Sequence, residues 1–280
     1  MNVAVTGATG FVGRHVVGEL ERRGIKPTLV CRSAGELSGD GSRHKVVEME
    51  LRSPPKDPFA VLGKPDILIH LAWGGLPNYQ SRQHCDEELP VQRTFLSAMI
   101  AGGLRNLLVT GTCLEYGMQS GQLREDHEAK PSNPYGSAKN ALRLELESLR
   151  AKAPFNLTWA RLFYLYGEGQ APGSLFSQLR RAVARGDSSF DMSGGEQLRD
   201  YLPVTEAAAY LVSLAMLKRD IGCVNVCSGR PVSVRALVER WIRENGWSID
   251  LNLGRYPYPD YEPMEFWGDR KKLSWCLETQ

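Results

Sequence analysis

The segment Met1-Asn-Val-Ala-Val-Thr-Gly-Ala-Thr-Gly-Phe-Val-Gly13 decides the fold that the rest of the chain must complete. Its apolar run at residues 3–5 predicts a buried strand, and helix-spaced apolar residues from Phe11 to Leu20 predict a helix. Between them, Gly7 permits a tight turn, Gly10 lets backbone approach a pyrophosphate, and Gly13 lets the helix pack closely on the strand. The free N–H groups of the first helical turn would face the phosphates. The order strand, glycine turn, helix therefore predicts a dinucleotide site.

The first half of the chain continues this alternation of apolar strands and helices. Strands are expected at 27–31, 46–49, 66–72, 107–109 and 155–162, and helices at 87–101 and 135–152. Residues 33–43 are rich in Gly and Ser and predict a loop. Alternation of this kind is typical of a doubly wound, parallel α/β sheet, whose ligand crevice lies at the carboxyl ends of the strands.

The rhythm changes near residue 165, where Gly and Pro become frequent. Helices are expected at 174–185, 205–218 and 232–245, with a strand at 223–227 and a short final helix capped by Asp269. We therefore predict a Rossmann-type dinucleotide-binding domain over residues 1–165. A smaller C-terminal α/β substrate lobe, partly interleaved with the sheet, is predicted over residues 166–280.

Composition sets limits on the possible partners. The 280 residues carry a formal net charge of +2, with no long basic run, which gives no indication of nucleic-acid binding. No apolar run approaches the length of about 18 residues that a membrane span requires, so no membrane partner is expected. Six Cys form no Cys-x-x-Cys pair and no His has metal-ligand spacing, so no metal is expected. The thiols, and a first strand that leaves no room for a signal peptide, predict a reducing, cytoplasmic location.

A second signal is Tyr135-Gly-Ser-Ala-Lys139 on the helix expected at 135–152. Residues four apart share a helix face, so the phenol and the ammonium point the same way. A nearby ammonium is expected to lower the pKa of Tyr135, which would suit the phenol to proton transfer near neutrality. Tyr-x-x-x-Lys by itself is common by chance, and the alternative is a surface helix. The strand that ends at Thr110-Gly-Thr112 and the dinucleotide turn together favour the catalytic interpretation.

Seven segments of the chain resemble the motifs of one known family and occur in the same order along the sequence. They are Thr6–Gly13, His70–Gly75, Thr110–Gly117, Asn133–Lys139, Arg161–Gly167, Arg199–Val204 and Val224–Gly229. The chain thereby resembles the extended short-chain dehydrogenase/reductases of the NAD-dependent epimerase/dehydratase, or nucleotide-sugar, branch. Asn133-Pro-Tyr-Gly-Ser-Ala-Lys139 is the closest single match, to N-P-Y-G-x-S-K. Within the branch, the chain is most similar to nucleotide-linked 4-keto-6-deoxysugar 4-reductases.

This resemblance implies roles for particular residues. Thr112 would hydrogen-bond the reacting carbonyl oxygen, Tyr135 would be the general acid/base, and Lys139 would bind the nicotinamide ribose. The implied cofactor contacts are Gly7, Thr9, Gly10, Phe11, Val12, Gly13, Arg32, Ser33, Glu50, Leu51, Leu71, Ala72, Trp73, Tyr135, Lys139 and Leu162. The implied substrate contacts are Thr112, Cys113, Tyr135, Tyr164 and Arg199. Arg199 would hold the substrate diphosphate, and a structural salt bridge is the alternative for it.

Departures from the family pattern refine the expectation. Arg32 and Ser33 stand where NAD-dependent members carry an acid, which favours NADP(H) over NAD(H); the alternative is an exposed Arg32 that binds nothing. Cys113 and Leu114 replace the Asp-Glu pair of the dehydratases, so dehydration is not expected. Glu115 replaces the usual Val and is either a substrate contact or part of a loop ion pair.

The leading hypothesis is NADPH-dependent reduction of the C4 keto group of a CDP- or dTDP-linked 4-keto-6-deoxy sugar, for deoxysugar or surface-polysaccharide synthesis. The alternatives are a C4 epimerase with tightly held NAD, a reductase of a non-nucleotide carbonyl, and a non-catalytic dinucleotide sensor. A homodimer is implied by the family, and Leu142, Leu144, Leu146 and Leu149 either form its interface or cover the sheet.

The sequence assigns no catalytic role to Trp73 or to the histidines. Trp73 either walls the cofactor pocket or is an ordinary core aromatic. His70 is expected to be packed and hydrogen-bonded on its strand. The other histidines, His15, His44, His84 and His127, are expected on helix surfaces or loops.

Overall fold

A computed structural model gives the structure of the chain and describes residues 1–33, 35, 44–258, 260 and 262–278. The loop expected over 33–43 lies for the most part outside the described residues, as does Pro259 of the proline-rich stretch near the end.

The centre of the molecule is a parallel sheet of seven described strands. In sheet order they are β3 (Lys45–Glu48), β2 (Thr28–Cys31), β1 (Val3–Thr6), β4 (Ile67–His70), β5 (Asn106–Thr112), β7 (Asn156–Leu162) and β11 (Gly222–Val226). The order of the strands reverses direction between β1 and β4. In open α/β sheets, ligands bind in the crevice at such a switch point. The expected doubly wound α/β sheet is therefore confirmed.

Helices cover both faces of this sheet. On one face lie α1 (Phe11–Arg22), α6 (Val204–Met216) and α8 (Lys271–Glu278), and on the other lie α2 (Pro58–Val61), α3 (Leu89–Gly102) and α4 (Pro134–Arg150). Two further helices, α5 (Leu175–Arg185) and α7 (Val234–Asn245), lie away from this sheet. Side chains alternate along each strand, so Val3 and Val5 enter the core beneath α1 and α6, whereas Ala4 enters the core beneath α3 and α4. Strands β1, β2 and β4 are buried along their whole length, which explains their continuous apolar runs, whereas the edge strand β3 is partly exposed.

Helices α1 and α6 are joined closely, although they come from opposite halves of the chain. Val16 and Leu20 of α1 share one apolar core with Leu211 of α6. The guanidinium of Arg23, just after α1, donates to the hydroxyl of Ser213 on α6 at 2.8 Å. The turn that begins α1 is thus supported by a helix some two hundred residues later in the chain.

The second half of the chain also forms a smaller apolar core of its own. Helices α5 and α7 enclose it around Leu179, Leu237 and Trp241. Short strands border it and the crevice, and they are β6 (Gly121–Leu123), β8 (Tyr164–Tyr166), β9 (Ser189–Asp191), β10 (Leu198–Pro203), β12 (Pro231–Ser233), β13 (Asp250–Asn252) and β14 (Phe266–Gly268). The division of the chain at residue 165 into a cofactor domain and a substrate lobe remains a proposal.

The start of the third helix differs from the sequence expectation. A π-helical turn, His84–Glu88, precedes α3, where an uninterrupted helix from residue 87 was expected. A π turn inserts an extra residue into the helical repeat and is found frequently at functional sites. Most of the short strands, such as β6 and β14, were also not predicted, because three residues carry too little periodicity.

No helix in the described part of the chain is long and apolar enough to cross a membrane. No group of three or more His, Cys, Asp or Glu side chains that could hold a metal ion occurs among the described residues.

Candidate active site

The glycine turn after β1 is shaped by close backbone contacts. Gly7 has φ +69°, a left-handed conformation that favours glycine, and a Cβ there would lie 2.8 Å from the backbone N of Ala72. A Cβ on Gly13 would lie 2.0 Å from the carbonyl oxygen of Gly7. The N–H of Gly10, the residue that caps α1, donates to the same Gly7 oxygen at 3.0 Å. These contacts close the turn so that the N-terminus of α1 faces the crevice.

A cavity of about 500 Å³ opens from this turn. The predicted cofactor contacts that line it are Gly7, Thr9, Gly10, Arg32, Glu50, Leu51, Leu71, Ala72 and Trp73. Those outside its lining are Phe11, Val12, Gly13, Ser33, Tyr135, Lys139 and Leu162. A cradle that only glycine can form, continued by a cavity of this size between β1, β2 and β4, fits a dinucleotide.

The end of this cavity beyond β2 and β3 is charged. Arg32 and Glu50 line it together with Arg52 and Glu88. The guanidinium of Arg52 donates to Glu88 at 3.1 Å and to Glu87 at 2.9 Å. Sequence reasoning did not single out Arg52 or Glu88, since neither belongs to a motif.

Local sequence brings the start of α4 against the end of β5. Asn133 caps α4 by accepting the N–H of Gly136 at 2.8 Å, and Pro134 occupies the first helical position. A Cβ on Gly136 would lie 2.6 Å from the carbonyl oxygen of Leu114. The absence of that Cβ lets the helix bearing Tyr135 approach the turn that follows Thr112.

Thr112 ends β5 and begins a 3₁₀ turn, Cys113–Tyr116. Its side chain is buried, and its hydroxyl oxygen accepts the N–H of Leu114 at 3.2 Å. A hydroxyl that accepts in this way keeps its own hydrogen for donation. Thr112 can therefore donate to an oxygen placed over the end of β5.

Lys139 is buried one helical turn after Tyr135. Its ammonium donates to the carbonyl oxygen of Thr110 at 2.8 Å and lies 4.0 Å from the centre of the Trp73 ring. Burial lowers the pKa of Lys139 to about 7, and the carboxylates of Glu115 and Glu88 act in the opposite direction. The ammonium therefore lies against the Trp73 ring, which lines the cavity, whereas Lys139 itself is not part of that lining.

Tyr135 departs from the expectation that Lys139 lowers its pKa. The pKa of Tyr135 is raised above its ordinary value, chiefly by burial and further by Tyr79, Glu115 and Cys113. The reason is geometric, because the Lys139 nitrogen lies 5.9 Å from the centre of the Tyr135 ring and is turned toward Thr110. The phenol makes no side-chain hydrogen bond within the described ranges, so it is available to a ligand as a protonated donor.

Glu115 belongs to a buried ion pair, which was one of the two interpretations from sequence. Its carboxylate accepts from Arg161 at 2.8 Å, from the Trp159 indole at 3.0 Å and from the backbone N–H of Thr112 at 2.9 Å. Arg143 adds a second cation at 3.9 Å. The Glu115 side chain is fully buried and holds Thr112 by its backbone N–H.

Replacing Glu115 by Gln is expected to lower the free energy of unfolding by about 3 kcal/mol, because Arg161 would remain buried with its charge uncompensated. Urea unfolding of the purified protein measures this. Glu145→Gln, which removes an exposed pair with Arg93, is the matched control and should cost about 1 kcal/mol or less. Equal losses in the two variants would contradict the assignment of Glu115 as a buried structural anion.

Arg199 and Tyr164, two predicted substrate contacts, meet at a third residue that sequence reasoning missed. The guanidinium of Arg199 donates to Glu262 at 3.2 Å and to the carbonyl oxygens of Leu198 and Met264. The Tyr164 hydroxyl donates to the other oxygen of Glu262 at 2.6 Å. Arg199 thus forms the salt bridge that was its alternative interpretation, and its contact with a diphosphate remains a prediction.

Cys113, the remaining predicted substrate contact, is buried beside this cluster in an apolar group with Phe163 and Phe266. Burial raises the pKa of its thiol, so Cys113 presents an uncharged surface. Its contact with substrate also remains a prediction.

Two histidines lie near the site, and the structure places one of them as predicted and the other differently. His70 is packed and hydrogen-bonded as predicted, to Thr6 at 2.9 Å and to Gln92 at 2.8 Å, and burial lowers its pKa to about 3. His84 was expected at the surface and is instead fully buried, 5.1 Å from Tyr135 between ring centres. Its burial depends on the π turn, for which the sequence has no recognised signal.

Comparison with known proteins supports this geometry. The model of the NAD dependent epimerase/dehydratase family matches residues 3–227. The chain is 29% identical to dTDP-6-deoxy-L-talose 4-dehydrogenase (NAD(+)) of Aggregatibacter actinomycetemcomitans, over 96% of this chain and 99% of that protein. It is 25% identical to dTDP-6-deoxy-L-talose 4-dehydrogenase (NAD(P)(+)) of Kitasatospora kifunensis, over 98% and 90% of the two chains.

A solved structure extends the likeness to three dimensions. MoeE5 in complex with UDP-glucuronic acid and NAD superposes with a TM-score of 0.82 at 28% identity, covering 99% of this chain and 93% of MoeE5. The glycine turn, the cavity and the residues at the end of β5 and the start of α4 thus belong to an architecture that binds NAD and a nucleotide sugar in MoeE5.

Proposed function

Because the chain belongs to the NAD dependent epimerase/dehydratase family, we propose that it reduces the C4 keto group of a nucleotide-linked 4-keto-6-deoxy sugar, using NADPH. It is an enzyme of the NAD(P)-dependent oxidoreductase type. The nucleotide proposed is dTDP or CDP, and the product would be a deoxysugar nucleotide for a polysaccharide or glycoside.

The observation that carries this proposal is end-to-end similarity to two relatives named for redox chemistry at C4 of a dTDP-linked 6-deoxy sugar. Oxidation of a C4 hydroxyl and reduction of a C4 ketone are the same reaction in opposite directions. Burial raises the pKa of Tyr135, so the phenol is protonated and can serve as the acid in the reductive direction.

Each residue of the proposed site has a defined task. A nicotinamide cofactor held in the cavity beside the glycine turn would supply the hydride for C4. The phenol of Tyr135 gives its proton to the C4 oxygen as charge develops there, and the hydroxyl of Thr112 donates a hydrogen bond to the same oxygen. The ammonium of Lys139 holds the ribose next to the nicotinamide, anchored by the Thr110 carbonyl. The Asn133 cap and the Gly136 contact keep these groups in register.

The proposed preference for NADPH is supported by Arg32, which follows β2 and lines the cavity. A guanidinium suits a 2′-phosphate, whereas an acid at this position would repel it. The similar proteins named above include one designated for NAD(+) and one for NAD(P)(+), so the preference is a property to be measured on this chain.

Replacing Arg32 by Asp is expected to weaken NADPH binding by about 10- to 100-fold, because a charge-assisted contact is exchanged for repulsion. NADH binding should change by less than about threefold, since NADH has no 2′-phosphate. Fluorescence titration of the reduced cofactors measures both affinities. Arg240→Asp on α7, a similar charge change on a partly exposed side chain, should leave them unchanged. A parallel loss for both cofactors would argue against a 2′-phosphate contact.

The decisive experiment incubates the purified protein with a panel of dTDP- and CDP-linked 4-keto-6-deoxy sugars and either NADPH or NADH. Stoichiometric oxidation of the cofactor, with appearance of a C4 alcohol, is the expected result. Isomerisation of a sugar nucleotide without net oxidation would show an epimerase instead. Turnover of simple ketones alone would indicate a non-nucleotide carbonyl reductase.

A homodimer also remains a proposal. Leu142 and Leu146 of α4 cover the sheet, whereas Leu144 is exposed on the same helix. Its exposure supports an interface along α3 and α4, which sedimentation of the purified protein tests.

A further inference from the structure

The π turn that precedes α3 places a buried histidine behind the proton-donating residues. Nδ1 of His84 accepts the indole N–H of Trp73 at 3.1 Å. Its other ring nitrogen lies 2.8 Å from the carbonyl oxygen of Asn78. An indole N–H can only donate and a carbonyl can only accept, so His84 must be the neutral tautomer with its hydrogen on Nε2. Both ring nitrogens are therefore occupied, and neither is available to a ligand.

Trp73, the residue that His84 holds, touches both members of the Tyr135 and Lys139 pair. The Lys139 ammonium lies 4.0 Å from the centre of its ring, within the range of a cation–π contact. The Tyr135 ring meets it edge-on at 6.0 Å, and His84 itself lies 5.1 Å from Tyr135. The orientation of the Trp73 indole therefore restricts the positions of the Lys139 ammonium and the Tyr135 phenol.

The same π turn also fixes the backbone beyond Trp73. Glu88, at the last position of the turn, accepts the N–H of Gly74 at 2.9 Å. His84, the first residue of the turn, thus holds the side chain of Trp73, and Glu88, the last residue, holds the backbone of Gly74. A regular helix repeats every 3.6 residues, whereas the wider π turn changes which side chains face this segment.

We propose that His84 is a positioning residue, which sets the places of Lys139 and Tyr135 by holding the indole of Trp73. This inference rests on the function proposed above, in which Lys139 binds the ribose and Tyr135 donates the proton. His84 itself contacts neither the substrate nor the cofactor.

The test begins with two replacements of His84 in the full-length protein. His84→Phe keeps a ring against Tyr135 but leaves the indole N–H of Trp73 buried and unpaired. We expect kcat and NADPH affinity each to fall by about 10- to 100-fold, with the KM for the sugar nucleotide within about threefold of its original value. His84→Asn returns an acceptor near the Nδ1 position and should recover most of both losses. Loss of folded protein without a change in kcat per folded molecule would overturn the proposal.

A double-mutant cycle shows whether His84 acts through Trp73. Trp73→Phe keeps an aromatic face for Lys139 and has no N–H to satisfy. In that background, His84→Phe should change kcat and NADPH affinity by less than about threefold, whereas independent effects would multiply. Multiplying effects would overturn the proposal. Trp275→Phe on α8, where an exposed indole contacts Arg219, is the matched control and should leave kcat unchanged.

Failure of the proposed function would be distinguishable from failure of this inference. NADPH binding is measured by cofactor fluorescence and needs no sugar. If no nucleotide sugar is turned over, the proposed function is wrong, and the cycle in NADPH affinity still decides the role of His84. If a nucleotide sugar is turned over and His84→Phe behaves as the unchanged protein, only the positioning role is wrong.

Discussion

Tyr135→Phe is expected to lower kcat by about 10³-fold while NADPH affinity stays within about threefold. The replacement removes one hydroxyl and leaves the ring that packs against Trp73 and His84. General acid catalysis by a positioned side chain contributes about 10²- to 10⁴-fold. Single-turnover oxidation of bound NADPH by a keto-sugar nucleotide measures the loss directly.

The same chemical change at the surface provides the control. Tyr256 is exposed, and Tyr256→Phe should leave kcat and NADPH affinity unchanged. Undiminished turnover by Tyr135→Phe would refute the assignment of the acid. A large loss of NADPH affinity in that variant would show instead that the phenol is needed for the cofactor pocket.

Gly13→Val should abolish measurable binding of the reduced cofactor, which corresponds to a loss of affinity of a hundredfold or more. A Cβ at this position would lie 2.0 Å from the carbonyl oxygen of Gly7 and 2.8 Å from the Cα of Ala8. Both are backbone atoms, so the turn itself must open. Overpacking of this kind costs about 3 kcal/mol, and each 1.4 kcal/mol is about tenfold in affinity. Fluorescence titration and the melting temperature together report binding and fold.

A second glycine in the same helix provides the matched control. A Cβ on Gly18 of α1 would meet no atom within 4 Å, so Gly18→Ala should leave cofactor binding unchanged. It should raise stability by about 0.5–1 kcal/mol, since Ala favours a helix over Gly. Gly10 is a less sharp test, because its nearest neighbour would be Gly7 oxygen at 3.2 Å. Normal NADPH affinity in Gly13→Val would contradict the assigned role of the turn.

Much of the fold could be predicted from the sequence, because the determining interactions are local or periodic. The strand at Val3–Thr6, the glycine turn and α1 follow from an apolar run and a spacing of glycines. The start of α4 follows from the capping preference of Asn133 and from Pro134. The parallel sheet follows from alternating strands and helices, whereas the order of its seven strands was not predicted.

The contacts that tune the site could not be predicted, since each joins residues far apart in the chain. Glu262 meets Arg199 and Tyr164 across some sixty to a hundred residues, and no motif marks it. The buried position of His84 depends on a π turn. The predicted direction of the Tyr135 pKa shift was wrong. The sequence shows that Lys139 is near, but it does not show the burial of the phenol, which raises the pKa.

The packing of α1 against α6 has a consequence for the chain as it leaves the ribosome. The glycine turn and α1 are synthesised well before α6, yet Val16 and Leu20 share their core with Leu211 of α6. A nascent chain that has reached only the end of β7 therefore carries its nucleotide turn on a helix with a bare apolar flank. The nucleotide turn is therefore translated before the helix that completes its core, residues 204–216.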